Sequence, residues 1–136
     1  MMELSHAAPL YCLTGHVVHG KGLGRTVEMP TANLQPDPGQ QLPPTGVYAT
    51  QAEIGGRRYP AVTNVGRRPT VDQEQAVTVE TYIIGFHQDL YGCPMTVTFW
   101  HYLRPTVRMP SLEAVKEQVK RDSQRTLELL REIEEL

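Results

Sequence analysis

Gly46-Val47-Tyr48-Ala49-Thr50-Gln51-Ala52-Glu53-Ile54, the pair Gly55-Gly56, and Arg57-Arg58-Tyr59-Pro60-Ala61-Val62 decide the fold class. Two strand-like runs flank a glycine pair. A tight two-residue turn needs positive φ, which glycine adopts without steric cost, so the segment reads as a β-hairpin. Working outward, Leu13 to His19 holds the alternating run Leu13-Thr14-Gly15-His16-Val17-Val18. Val77 to Ile84 and Met95 to Leu103 are the most strand-like segments, rich in β-branched and aromatic residues. Gly and Pro punctuate the gaps. The pattern changes at Ser111: from there to Leu136 no Gly or Pro occurs, and Leu112, Val115, Val119, Thr126, Leu130 and Ile133 recur at helical spacing. Ser111 is placed to cap that helix and Glu113 to favour its first turn. Asp122 interrupts the apolar stripe. The expected class is all-β: a small barrel or sandwich of antiparallel strands, about 11–105, closed by a C-terminal α-helix, about 111–134, after a flexible N-terminal arm, 1–10.

At 136 residues the chain is long enough to bury one core, and its 40% hydrophobic and 21% charged residues are those of a globular protein. A formal net charge of −2 and a pI near 6.2 argue against a dedicated nucleic-acid module, which carries a basic excess. One Trp and two Phe also fall short of the aromatic-studded face that an oligonucleotide-binding barrel needs. Cys12 and Cys93 form no Cys-x-x-Cys pair, so both are expected as reduced and largely buried thiols. No apolar run approaches the roughly 20 residues that span a bilayer, and the first ten residues lack a signal-peptide pattern. The expectation is a cytoplasmic protein with no nucleic-acid and no membrane partner.

Three segments carry candidate chemistry. His19-Gly20-Lys21-Gly22-Leu23-Gly24-Arg25-Thr26 places three glycines where a backbone could fold into an anion nest, yet by itself it also reads as a surface turn. It is neither a Walker A loop nor a Rossmann loop. In Met29-Pro30-Thr31-Ala32-Asn33-Leu34, extended backbone would point Thr31 and Asn33 the same way. Their neutral oxygens suit a hard cation already partly neutralised by phosphates, or else a turn before Pro36-Asp37-Pro38-Gly39. Glu80 stands in Val77-Thr78-Val79-Glu80-Thr81-Tyr82-Ile83-Ile84, on the face opposite Val77, Val79 and Ile83. Glutamate is depleted in such runs; a solvent-facing side chain and a general base both account for it. The histidines show no metal-ligand spacing, and Arg57-Arg58 and Arg67-Arg68 read as solvated loop charges.

In this order the segments resemble the riboflavin kinase (flavokinase) family. The matching residues are Gly15-His16-Val17-Val18-His19-Gly20, Gly24-Arg25, Pro30-Thr31-Ala32-Asn33, Leu42-Pro43-Pro44 leading to Gly46-Val47-Tyr48-Ala49, Asn64-Val65-Gly66 with Arg68-Pro69-Thr70, Val79-Glu80, Asp89-Leu90-Tyr91-Gly92, Leu103-Arg104 and Ser111-Leu112-Glu113. The resemblance spans about Leu13 to Leu130. It implies a six-stranded antiparallel Greek-key barrel with a C-terminal helix. It implies transfer of the ATP γ-phosphate to the riboflavin 5′-hydroxyl, giving FMN and ADP, with Mg²⁺ or another divalent cation.

Residue by residue, the resemblance places Gly20, Gly22, Gly24, Arg25, Thr31 and Asn33 on ATP, with Thr31 and Asn33 also on the metal, and makes Glu80 the catalytic base. Tyr82, Tyr91, Arg104, Val107 and Met109 fall near the flavin, with Arg104 near the transferred phosphate. The cation site and the carboxylate are expected to converge across the mouth of the barrel. Where the family usually has Gly, this chain has Glu28, a carboxylate that repels polyphosphate unless it points outward or helps hold metal. Many bacterial members carry an adenylyltransferase domain that makes FAD. The expected partner is such a domain or a separate FAD synthetase. The alternative from another class is a non-catalytic flavin- or nucleotide-binding regulatory module on the same barrel.

Overall fold

The computed structural model describes residues 8–18, 31–69, 75–86 and 88–134. Six strands, β1 (Tyr11–Val18), β2 (Ala32–Pro36), β3 (Gly46–Ile54), β4 (Arg57–Pro69), β5 (Gln75–Ile83) and β6 (Pro94–Arg104), precede one helix, α1 (Leu112–Glu134). The strands close into a barrel in the order β1-β2-β5-β4-β3-β6, and every pairing is antiparallel. β3, β4 and β5 form a meander and β6 returns to lie beside β3, which is a Greek key. The expected fold class is the observed one.

The opening hairpin pairs without a break from Gly46↔Val65 to Ile54↔Arg57. Gly55 and Gly56 both take positive φ, 59° and 81°, as that turn requires. Inside the barrel, period-2 alternation sends Leu13, Val65, Val79, Val97 and Phe99 into one apolar core. Tyr48 joins them edge-on to Phe99, ring centroids 5.1 Å apart, and its buried hydroxyl donates to the Pro44 carbonyl at 2.8 Å.

Two stretches differ from the sequence reading. β2 was expected only as extended backbone; its Ala-Asn-Leu-Gln-Pro composition lacks β-branched residues, and it is a strand because β1 pairs with it. β4 continues past Val62 to Pro69, so the two arginine pairs lie on a strand and not in loops. The ladder to β5 runs through Gly66 without a break. Cys12 is exposed and Cys93 half-buried, so neither is the largely buried thiol expected.

The helix starts as its cap dictates: the Ser111 hydroxyl accepts the Ala114 N–H at 3.1 Å. α1 packs on the outer face of β3, β4 and β6. Val47, Ala49 and Val62, which point away from the barrel core, are buried on that face, as are Thr126, Leu129 and Leu130 on the helix. The molecule therefore has two packed layers, one inside the barrel and one between its outer wall and the helix.

Candidate active site

Directly paired residues on antiparallel strands point to the same face. The registers Asn33↔Glu80, Glu80↔Asn64, Asn64↔Val47 and Val47↔Arg104 therefore draw one row across β2, β5, β4, β3 and β6. Val65, Val79 and Thr81 beside this row face the core, so the row lies on the outer wall. Glu80 is half-buried, and its Oε1 accepts a hydrogen bond from the Thr31 hydroxyl at 3.2 Å.

The helix does not cover the whole row. Between it and the wall is a cavity of about 390 Å³, a size suited to a small-molecule site. Thr31, Glu80, Asn64 and Tyr82 line its wall side. Val107, Arg108 and Met109 line it from the segment after β6, and Val115, Gln118 and Val119 from the helix. The cavity is thus mainly apolar with a polar edge at Glu80.

One ion pair holds the two layers together. Arg104 reaches both Asp122 oxygens, through Nε at 3.2 Å and Nη2 at 2.9 Å, and Gln118 Nε2 adds a bond to Asp122 at 3.1 Å. Asp122 is only 5% exposed, so a bidentate cation is what makes its burial tolerable. This explains the interruption of the helix stripe at Asp122.

The structure brings together Thr31, Glu80, Tyr82, Arg104, Val107 and Met109 around one cavity. Asn33 is the register partner of Glu80 on the adjoining strand. Tyr91 is elsewhere: it is 57% exposed and does not line the cavity. Its turn is docked on the end of β1, with the Gly92 N–H donating to the Val17 carbonyl at 2.8 Å. The expected convergence at the barrel mouth is also corrected. The polar groups meet on the outer wall, because alternation turns Glu80 away from a core already filled by Val79, Thr81 and Ile83. Arg104 lies at the cavity with its guanidinium committed to Asp122. Gly20, Gly22, Gly24, Arg25 and Glu28 lie outside the described residues.

With this geometry in hand, comparison with known families matches residues 8–130 to the flavokinase family, described as riboflavin kinase. The chain belongs to the riboflavin kinase family. A curated relative from Pseudomonas fluorescens, named bifunctional riboflavin kinase/FMN adenylyltransferase, is 39% identical over 81% of this chain and 35% of its own. A solved riboflavin kinase from Trypanosoma brucei aligns with TM-score 0.61 and 25% identity, covering 89% of this chain and 80% of that one. A solved structure from Streptococcus pneumoniae, described as a macrolide-efflux protein, aligns with TM-score 0.80 and 35% identity over 88% of this chain and 38% of that one. The chain spans 35–40% of the length of the first curated relatives it matches.

Within a riboflavin kinase barrel, the donor set at β2 bears on the expected cation. Among the described residues no cluster of three His, Cys, Asp or Glu could cage a metal. Thr31 and Asn33 offer neutral oxygens beside one carboxylate, which suits a hard divalent ion completed by phosphate oxygens and water. The residues fit such a group as part of a nucleotide complex. Sequence reasoning did not assign Asn64, Thr106, Gln118 or Asp122 to the site, and it reached Arg108 only as part of the segment Val107 to Met109 placed near the flavin. Only Asp122 had a signal, a charge in an apolar stripe; the others become neighbours through the helix docking on the wall.

Proposed function

We propose that this chain transfers the γ-phosphate of ATP to the 5′-hydroxyl of riboflavin, giving FMN and ADP. The observation that carries this reading is the Glu80 carboxylate at the polar edge of a mostly apolar cavity, 3.2 Å from the Thr31 hydroxyl. A flat flavin ring suits the apolar part, against Tyr82, Val107 and Met109, leaving the ribityl chain directed at Glu80. The 5′-oxygen forms the new bond to the γ-phosphorus, the bond to the bridging oxygen breaks, and ADP departs with that electron pair. Glu80 orients the attacking hydroxyl and accepts its proton. Phosphoryl transfer asks mainly for alignment and charge neutralisation, which a small rigid site can supply. Thr31 and Asn33 hold the Mg²⁺ side of the nucleotide, and a divalent ion bound there would neutralise phosphate charge.

Two sequence assignments change within this reading. Arg104 ties β6 to the helix and does not meet the phosphate. Arg108 makes no ion pair among the described residues and is the cation left at the cavity. Tyr91 is not a wall of the flavin slot. Gly20, Gly22, Gly24 and Arg25 remain the proposed phosphate loop; they follow directly on β1, whose end carries the Tyr91 turn. Of the two activities in the names of the bifunctional relatives, only the kinase is assigned to this chain. Among the described residues no helix is long and apolar enough to cross a membrane.

The test is to incubate the purified chain with ATP, Mg²⁺ and riboflavin and to follow FMN by chromatography. ATP-dependent FMN that disappears on chelation supports the reading. Flavin binding with no FMN would overturn it in favour of the binding module.

A further inference from the structure

We propose that Asn64 is a third polar arm of the site: its amide N–H group holds the polyol chain of the flavin against Glu80, and Thr106 sets the amide for that task. The inference rests on the reading of the cavity as the riboflavin site. Asn64 is the cross-strand partner of Glu80, so the two side chains leave the wall side by side, and both line the cavity. The Thr106 hydroxyl donates to Asn64 Oδ1 at 2.6 Å. That contact occupies the acceptor end of the amide and fixes which end faces the loop. Among the described residues Nδ2 has no hydrogen-bond partner, so two donors are left for a ligand.

Gly66 supports the assignment. Its backbone is extended, not left-handed, so glycine is not required there by conformation. Space there is tight: a Cβ would stand 3.3 Å from Thr78 Oγ1, which would have to give slightly, and 3.7 Å from Asn64 Nδ2, in ordinary contact with the amide.

The chemistry needs this residue type. A sugar-alcohol hydroxyl both donates and accepts, so a carboxylate and an amide N–H side by side can fix its chain in one orientation. A Lys or Arg in place of Asn64 would pair with Glu80 and lower its basicity. A neutral donor orients the polyol without quenching the base. Because Thr106 belongs to the segment that carries Val107 and Met109, the same hydroxyl registers the flavin-facing loop with the strand that carries the amide.

The experiment is a riboflavin titration by fluorescence quenching on the whole chain, with steady-state kinetics alongside. Asn64→Ala is expected to weaken riboflavin binding roughly tenfold, the worth of one or two lost hydrogen bonds, with the Michaelis constant for ATP unchanged. Thr106→Val should weaken it less and in the same direction, and Thr106→Ser should restore it. Asn64→Asp keeps the size and replaces the donor with a second acceptor, so it should weaken riboflavin binding at least as much as Asn64→Ala, which loss of packing alone would not do. If Asn64→Ala and Thr106→Val both bind riboflavin as the unaltered chain does, the inference is wrong. If they bind it more weakly while the unaltered chain makes no FMN, Asn64 stands and the kinase reading falls.

Discussion

Two polar rows share β4 and β5, one residue apart on each, and they behave differently. Inside the barrel, Thr50, Thr63 and Thr81 are each 0–1% exposed and form a hydroxyl chain, Thr50 to Thr63 and Thr63 to Thr81 at 2.9 Å. Outside, Asn33, Glu80 and Asn64 form a row in which Glu80 bonds to Thr31 and Asn64 to Thr106, and these two line the cavity. Thr81 follows Glu80 and Thr63 precedes Asn64 in the chain. The inner row is closed upon itself and can only stiffen the wall. The outer row is open, and an open polar row beside an apolar cavity is what a ligand can use. Strand alternation builds both from one stretch of sequence, so the stiff row lies directly behind the reactive one.

The sharpest way to break this contrast is Glu80→Gln. Glutamine can still accept the Thr31 hydrogen bond, so the row keeps its shape and loses only its base. Turnover is expected to fall by roughly two to four decades with riboflavin affinity near normal, measured by initial rates and a flavin titration. Unchanged turnover would make the outer row as inert as the inner one.

Asp122→Ala comes next. It leaves the Arg104 guanidinium, whose side chain is 23% exposed, without its carboxylate and unpins the helix from the wall. The loss is expected to be about 3 kcal/mol, visible as a drop of about 10 °C in Tm, with riboflavin binding weakened as the cavity loosens. A variant that melts normally would show that apolar packing alone docks the helix.

These two residues also show what the sequence could tell. Strands with β-branched alternation, β5 and β6, are legible because the pattern reports burial directly. β2 has no such pattern and exists through its partners. Glu80 stands out in sequence as a carboxylate in a strand, and Asp122 as a charge in an apolar stripe; each is a local rule broken at a functional or bridging point. What each one touches is not legible, because Thr31 lies 49 residues from Glu80 and Arg104 lies 18 from Asp122. The cavity is created by helix docking, so Thr106 and Gln118 carry no mark of it. Tyr91 was assigned to the flavin through a motif that the fold places at the end of β1, away from the slot.

Thr63→Val tests the inner row. The shape is kept and the central hydroxyl removed, which leaves the Thr50 and Thr81 hydroxyls without their shared partner. Stability should fall by about 1–3 kcal/mol in a denaturant titration, with riboflavin and ATP Michaelis constants little changed. A change in activity larger than the change in stability would mean that the two rows are coupled.

The smallest effect separates the rows by pH. Tyr48 is the inner group whose ionisation is displaced: burial first, then the neighbouring Tyr11 and Tyr102, raises its pKa above the ordinary 10.0. The protonated phenol is the neutral form, so the folded barrel holds that proton more tightly than the unfolded chain does. Its contribution to stability is complete below about pH 10 and is lost as pH rises from there through the folded value. Tyr48→Phe should therefore cost about 1 kcal/mol at neutral pH, for the bond to the Pro44 carbonyl, and then lose stability less steeply than the unaltered chain on going alkaline. Parallel curves above pH 10 would assign the alkaline loss to another group. Diverging ones would show that the inner row's neighbour Tyr48 is silent across the neutral range and felt only above pH 10.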